Sequence, residues 1–173
     1  MNGTAPGWEA CSDSFAPMSG SNVLLLLGGN MGEPEHALER AERAIAERIG
    51  SVQARSRDHW TSPWGFTDDR LFLNRALAVR TKLDPARVMS ACLAIEKEQG
   101  RVRPADGTMV SRVIDIDILA IEELVIDTSD LIVPHPRMQE RRFALAPMAD
   151  LWPLWRHPRS GRTILELLDN LRG

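Results

Sequence analysis

Apolar positions recur along this chain with two rhythms, one of two residues and one of three to four, and they lay out its elements. Asn22 to Leu27 (NVLLLL) is a short apolar run stopped by Gly28-Gly29-Asn30, which predicts a buried strand entering a backbone-tight loop. From Pro34, the positions Leu38, Ala41, Ile45 and Ile49 recur at spacings of 3 and 4. They predict an amphipathic helix closed by Gly50, with Glu39 and Arg43 as an i,i+4 pair on its wet side. Val52 to His59 reads as a polar strand, and the turn-rich Trp60-Thr61-Ser62-Pro63-Trp64-Gly65 separates it from a second strand, Leu71 to Thr81. The two are expected to pair antiparallel. Asp84-Pro85 supplies an N-cap and first helical residue, and Val88, Cys92 and Ile95 mark the buried stripe of a helix running to about Gln99, with Gly100 as its stop.

A Gly- and Pro-punctuated basic loop, Gly100 to Arg112, leads into Val113 to Ile121 (VIDIDILAI), strand-like in its β-branched content and period of two. A short strand around Leu124 to Ile126 is expected to return as a hairpin. Further on come a helix near Met138 to Ala146, an aromatic and proline-rich loop (Leu151 to Trp155) and a terminal helix from Ile164 to Leu171. The order βαββαβ predicts an α+β, ferredoxin-like core, an antiparallel-rich sheet flanked by helices with a C-terminal extension. Residues 1–21 lack a basic n-region and an apolar core. They read as a flexible leader to a domain over 22–173, not as a secretory signal.

At 173 residues, 43% hydrophobic and 26% charged, the chain suits one domain with its own core. No apolar stretch approaches the ~18 residues of a membrane span. The 21 Lys+Arg against 24 Asp+Glu give a net charge of -3, without the basic excess that holds a domain on nucleic acid. Two cysteines, Cys11 and Cys92, make neither a disulfide framework nor a zinc site. Cys92 reads as core packing, and a reducing cytoplasm as the compartment.

The most informative chemistry is Asp115-Ile116-Asp117. Successive strand side chains alternate faces, so both carboxylates project together while Ile114, Ile116 and Ile118 line the buried side. Such a pair suits magnesium, which takes one or two carboxylates and completes its shell with phosphate oxygens and water. Taken alone it reads equally as a solvated strand face. Upstream, Arg101, Arg103 and Arg112 bracket Pro104-Ala105-Asp106-Gly107-Thr108, and guanidinium forks bind phosphate bidentately. A cationic loop beside an anionic strand is the layout of a phosphoryl-transfer site. The loop is expected to close over bound ligands. Asn74, on a strand, offers a donor and an acceptor to a heterocycle. His135 lies between two prolines and could contact phosphate; His36, His59 and His157 read as ordinary surface or packing residues.

In sequence order these pieces are Leu27-Gly28-Gly29-Asn30-Met31-Gly32, Thr61-Ser62-Pro63-Trp64-Gly65, Phe72-Leu73-Asn74, Glu96 through Arg103, Arg112-Val113-Ile114-Asp115-Ile116-Asp117-Ile118-Leu119, and Val133-Pro134-His135-Pro136 followed by Arg141 and Phe143. Over about residues 22–172 the series resembles the hydroxymethyl-dihydropterin pyrophosphokinase family of folate biosynthesis. The resemblance implies transfer of pyrophosphate from ATP to the hydroxymethyl group of 6-hydroxymethyl-7,8-dihydropterin, releasing AMP. It implies that Asp115 and Asp117 hold two Mg2+ ions and that Arg101 and Arg112 join them in catalysis. Glu96, Arg101, Arg103, Arg112, Ile118, His135 and Arg141 would contact ATP, and Thr61, Ser62, Trp64, Phe72, Asn74 and Phe143 the pterin. A cytoplasmic monomer without nucleic acid or membrane partners is expected.

The chain differs from the family pattern at Gly28-Gly29-Asn30, where Gly-Ser-Asn is usual, and at Met109-Val110-Ser111-Arg112, where Trp-Gly-Pro-Arg is common. Met109 is the nearest equivalent of the Trp that covers the pterin. Two rival readings are a weakened or non-catalytic pterin- or nucleotide-binding homologue and a ferredoxin-like RNA-binding module. The second needs exposed aromatics on a basic sheet face, whereas the face expected here carries Asp115 and Asp117.

Overall fold

The first strand, β1 (Ser21–Gly29), is covered on both sides, which accounts for its unbroken apolar run. It lies at the centre of an antiparallel sheet, and the computed structural model describes residues 20–171 of the chain. Helix α1 (Pro34–Arg48) follows, then β2 (Ser51–Arg55), β3 (His59–Thr61), β4 (Phe72–Thr81), α2 (Pro85–Glu98) and β5 (Asp115–Ile121). The sheet runs β2-β4-β1-β5 with β3 also paired to β4. That is the expected ferredoxin-like arrangement. A separate two-stranded sheet joins β6 (Ile126–Asp127) to β7 (Ile132–Val133), and a 3-10 turn (Met138–Glu140), α3 (Arg142–Leu151) and α4 (Ile164–Asn170) complete the extension.

Alternation along the strands divides the core in two. Val23, Leu25 and Leu27 of β1 face α1 and α2 with Leu73, Leu77, Ile116 and Ile118, whereas Leu24 and Leu26 face α3 and α4 with Ala78 and Leu119. Each such side chain contributes about 1.5–3 kcal/mol on burial, so a one-residue slip of β1 would misplace both sets. Asp84 caps α2 by accepting from the Arg87 N–H at 2.9 Å. Cys92 is fully buried, its thiol pushed up to about 12 chiefly by that burial. It is core packing, as expected. Cys11 and most of the expected leader, residues 1–19, lie outside the described residues.

The elements differ from expectation in four places. The strand expected over Val52 to His59 is two strands: at Ser56 the backbone N–H still donates to Ala76 O, but the Ala76 N–H turns to the Ser56 hydroxyl, which itself donates to Arg57 O. The second piece then extends into the expected turn as far as Thr61. On α1, Glu39 and Arg43 form no ion pair; Glu42 reaches instead to Arg55 at 3.6 Å and to the buried Arg75 at 3.4 Å. Arg75 also holds Asp58 at 2.7 and 3.0 Å.

After β5 the chain does not return as a hairpin. Asn22 holds the Glu122 carboxylate through its backbone and side-chain N–H groups, and the Leu124 N–H donates to Ile121 O. This turn sends Ile126 to pair with Val133 and not with β5. The helix expected over Met138 to Ala146 is broken at Arg141, whose backbone is extended, and α3 runs on to Leu151.

Register brings the functional candidates together. Gly28 lies opposite Asn74 on β4 and Asp115 on β5, and Leu26 lies opposite Ala76 and Asp117. Next to Gly28, the 112–113 backbone crosses so close to Gly29 that a Cβ there would meet Val113 O at 2.4 Å. Gly29→Ala is therefore expected to lower stability by about 1–3 kcal/mol, as read by urea unfolding. An unchanged midpoint would contradict the close approach.

Candidate active site

Strand β5 places Asp115 and Asp117 on the α3 side of the sheet, beyond the end of that helix, while Ile116 and Ile118 are buried against α1 and α2. The last full turn of α2 sets Glu96 beneath them, only 2% exposed. Glu96 accepts from the Ile116 N–H at 2.7 Å and from Arg101 and Arg103, each at 2.6 Å. Arg101 also donates to Asp115, and Arg112 Nε lies 3.1 Å from the other Asp115 oxygen. The two arginines thus bridge the basic loop to β5. Burial raises the Glu96 pKa despite these partners.

Asp117 is different. Its carboxylate accepts no hydrogen bond among the described residues, and burial, with the Asp115 charge next, raises its pKa to about 7. Nearby, Arg141 is buried with its Nε lacking a hydrogen-bond partner. Its guanidinium lies over Trp64 at 4.7 Å and Phe143 at 5.6 Å, where cation and ring attract. An under-neutralised carboxylate and an orphaned guanidinium N–H in one recess lack a cation and an anion, respectively.

Beside this cluster opens a cleft with about 430 Å³ of space, its mouth included. Trp64 and Phe143 meet at 6.2 Å between ring centroids, and Phe66 sits edge-on to Phe72 at 6.0 Å. Thr61, Ser62, Met109, Arg112, Asp115 and Asp117 complete much of the lining, with Asn74 in the floor. The Asn74 amide donates to Thr61 Oγ1 at 2.9 Å and, more weakly, to His59 O at 3.4 Å. Its carbonyl oxygen accepts no hydrogen bond among the described residues. A flat heterocycle with its own donors fits such an aromatic slot with a polar end.

All six residues expected to hold the pterin, Thr61, Ser62, Trp64, Phe72, Asn74 and Phe143, line this one cleft with Arg112, Asp115 and Asp117. Glu96, Arg101, Arg103 and Arg141 stand around it as the charged surround. The Ile118 side chain packs in the core, on the face of the sheet opposite Asp115 and Asp117. His135 is anchored by its N–H to Leu119 O at 3.0 Å. Phe66 was not anticipated, although an aromatic following Gly65 in a turn-rich loop was a usable signal. His59, read as ordinary, is held by Asp150 at 2.8 Å, which also receives Arg57 at 2.7 Å, tying β3 to α3.

No group of three or more His, Cys, Asp or Glu among the described residues is arranged to hold a metal. The protein donors reduce to the Asp115 and Asp117 carboxylates, too few for zinc or calcium. They fit magnesium, whose remaining positions fall to phosphate oxygens and water.

Fold and cleft together define an α+β protein with an aromatic heterocycle slot opening onto a carboxylate and guanidinium cluster suited to a phosphorylated ligand. The chain belongs to the 7,8-dihydro-6-hydroxymethylpterin-pyrophosphokinase (HPPK) family, whose model matches residues 24–153. It is 42% identical over 134 residues to the 2-amino-4-hydroxy-6-hydroxymethyldihydropteridine pyrophosphokinase of Methylorubrum extorquens, covering 77% of this chain and 84% of that one. With the Pseudomonas aeruginosa protein of the same name it shares 41% over 150 residues, 84% and 89% of the two chains. The fold is that of solved HPPK-DHPS proteins. The Plasmodium falciparum wild-type protein with pteroate matches at a TM-score of 0.70 and 14% identity, over 87% of this chain and 44% of that one. The chain thus spans less than half of that solved protein.

His135 gives this site a pH signature. Burial first, then the Arg141 and Arg137 charges, push its pKa down to about 4, so the imidazole is neutral at pH 7. Between about pH 6.5 and 4 the unfolded chain binds the proton and the folded one does not. This group's contribution to stability is therefore present above pH 6.5 and lost as pH falls towards 4. An NMR titration is expected to place the His135 midpoint near 4, and His135→Gln to flatten that part of the stability profile. A midpoint near 6.5 would contradict the burial.

Proposed function

We propose that this chain transfers the β,γ-pyrophosphoryl group of ATP to the hydroxymethyl oxygen of 6-hydroxymethyl-7,8-dihydropterin, releasing AMP, in folate biosynthesis. The observation that carries the reading is the continuity of the Asn74 slot with the Asp115 and Asp117 recess, both lining one cleft. A heterocycle held at Asn74 and Thr61 between the aromatic walls would direct its substituent toward the carboxylates. Family membership supplies the reaction class and ATP as co-substrate.

The residues divide the work by chemistry. Trp64, Phe72 and Phe143 bind the ring by stacking and exclude water, and Asn74 orients it through its amide. Arg101, Arg112 and Arg141 hold phosphate oxygens in fixed positions, which is most of what phosphoryl transfer asks of a protein. Glu96 orients Arg101 and Arg103 before ligand arrives. Asp115 and Asp117 would hold magnesium, which when bound neutralises charge on the phosphate oxygens. The arginines now paired to Asp115 and Glu96 would redistribute toward phosphate.

A monomer acting in the cytoplasm belongs to the same proposal; among the described residues no helix is long and apolar enough to cross a membrane. The domain is taken as residues 22–173 behind a leader of 1–21. The weakened-homologue reading has no observation in its favour, since both metal carboxylates and the surrounding arginines are present and gathered.

Incubation with MgATP and the pterin is expected to yield one AMP per pterin consumed. ADP, or no product that depends on the pterin, would overturn the assignment. Asp117→Asn separates catalysis from stability. The carboxyl is raised to about 7 in the fold, above its unfolded value, so its ionisation costs stability progressively as pH rises from about 4 to 7. The variant is expected to lose about a hundredfold or more in turnover while its Tm at pH 8 rises and pterin binding stays measurable. Near-normal turnover would reduce the pair to a solvated strand face.

A further inference from the structure

We propose that Ser111 is a positioning residue, whose hydroxyl latches the segment carrying Arg112 to the two other loops that border the cleft. The inference rests on the reading of Arg112 as a phosphate-binding residue. Ser111 itself does not line the cleft. Its Oγ accepts from Asn30 Nδ2 at 3.0 Å and donates to Asp68 Oδ2. Asn30, 3% exposed at the end of β1, also holds the Arg112 backbone: its Oδ1 accepts the Arg112 N–H and its own backbone N–H donates to Arg112 O, both at 3.0 Å. Asp68 in turn receives Arg70 through the backbone N–H and two guanidinium nitrogens at 2.7–2.9 Å.

The direction of this relay is fixed by chemistry. An ionised Asp68 can only accept, and the Asn30 amide nitrogen can only donate, so the group between them must do both. A hydroxyl does; an alkyl side chain or a proline does not. Arg70 foremost, then the Ser111 bond itself, hold the Asp68 carboxyl well below the usual carboxylate range, so it remains an acceptor at any working pH.

The outer end of the relay is the loop after β3 and the inner end is the Arg112 backbone, whose guanidinium reaches Asp115 and lies 5.1 Å over Phe72. Cutting the relay at Ser111 would leave Asn30 with an unpaired amide donor and detach the joined Asn30 and Arg112 backbones from the Asp68 loop, loosening the hold on Arg112. A misplaced guanidinium costs most where charge develops, so the loss belongs to kcat more than to substrate affinity.

Two readouts test this, one of them independent of catalysis. Amide hydrogen exchange in the ligand-free chain is expected to be about fivefold faster at Arg112 and Asn30 in Ser111→Ala, and within about twofold of the parent in Ser111→Thr. In the pyrophosphoryl-transfer assay Ser111→Ala is expected to lower kcat about fivefold with pterin KM within about twofold. Asp68→Ala should match it, and the double variant should be no worse than either. Unchanged exchange at Arg112 in Ser111→Ala, or losses that multiply in the double variant, would overturn the latch. If the parent chain forms no AMP, the proposed function falls while the exchange measurement still decides the latch.

Discussion

Three carboxylates, Glu96, Asp115 and Asp117, converge at one end of the central sheet where little water reaches them, and the site is organised by how their charge is balanced. Glu96 is satisfied by a backbone N–H and two arginines, Asp115 by two arginines, and Asp117 by no hydrogen bond among the described residues. Burying anions this way destabilises a fold unless partners hold them. The guanidinium groups of the 101–112 segment do so, which also fixes that segment against β5. Asp117, near the Arg141 charge but with no hydrogen-bond donor among the described residues, faces the recess proposed for a divalent cation. A ligand bringing both a cation and phosphate would satisfy Asp117 and Arg141 together, each of which lacks a partner of that kind.

The sheet makes this convergence possible. Because β1 is flanked by β4 and β5 in register, Asn74, Gly28 and Asp115 stand abreast, and ring recognition and charge management fall within two strand spacings of each other. The lack of side chains at Gly28 and Gly29 opens the cleft floor and admits the 112–113 backbone. On the other face, α1 and α2 cover the same strands with aliphatic packing, and the buried Arg75 with Asp58 and Glu42 ties β4 to its surroundings. The site thus rests on rigid strands, and its loops need contribute little more than arginines and aromatic walls.

Much of this was legible in the sequence because it follows from period. The apolar run of β1, the 3-and-4 spacing of α1 and α2, and the alternation that puts Asp115 and Asp117 opposite Ile116 all depend on local geometry. The structure gathers the six pterin candidates into one cleft. What escaped was decided by contacts distant in sequence. Ser56 splits an apparent strand by bonding to Ala76, and Asn22 captures Glu122 and turns the chain away from its hairpin. The burial of the Ile118 side chain, by contrast, follows from the same alternation and was expected. Ser111 was visible only as a departure from the family pattern, since its partners Asn30 and Asp68 lie 81 and 43 residues away.

The most direct test is a crystal structure of the chain with magnesium, a non-hydrolysable ATP analogue and 6-hydroxymethyl-7,8-dihydropterin. The account predicts the ring in the Asn74 slot, Asp115 and Asp117 coordinating the cation, and the Arg101 and Arg112 guanidinium groups moved from carboxylate to phosphate oxygens. A nucleotide bound elsewhere, with the Glu96, Arg101 and Asp115 cluster intact and Asp117 without a cation, would contradict it.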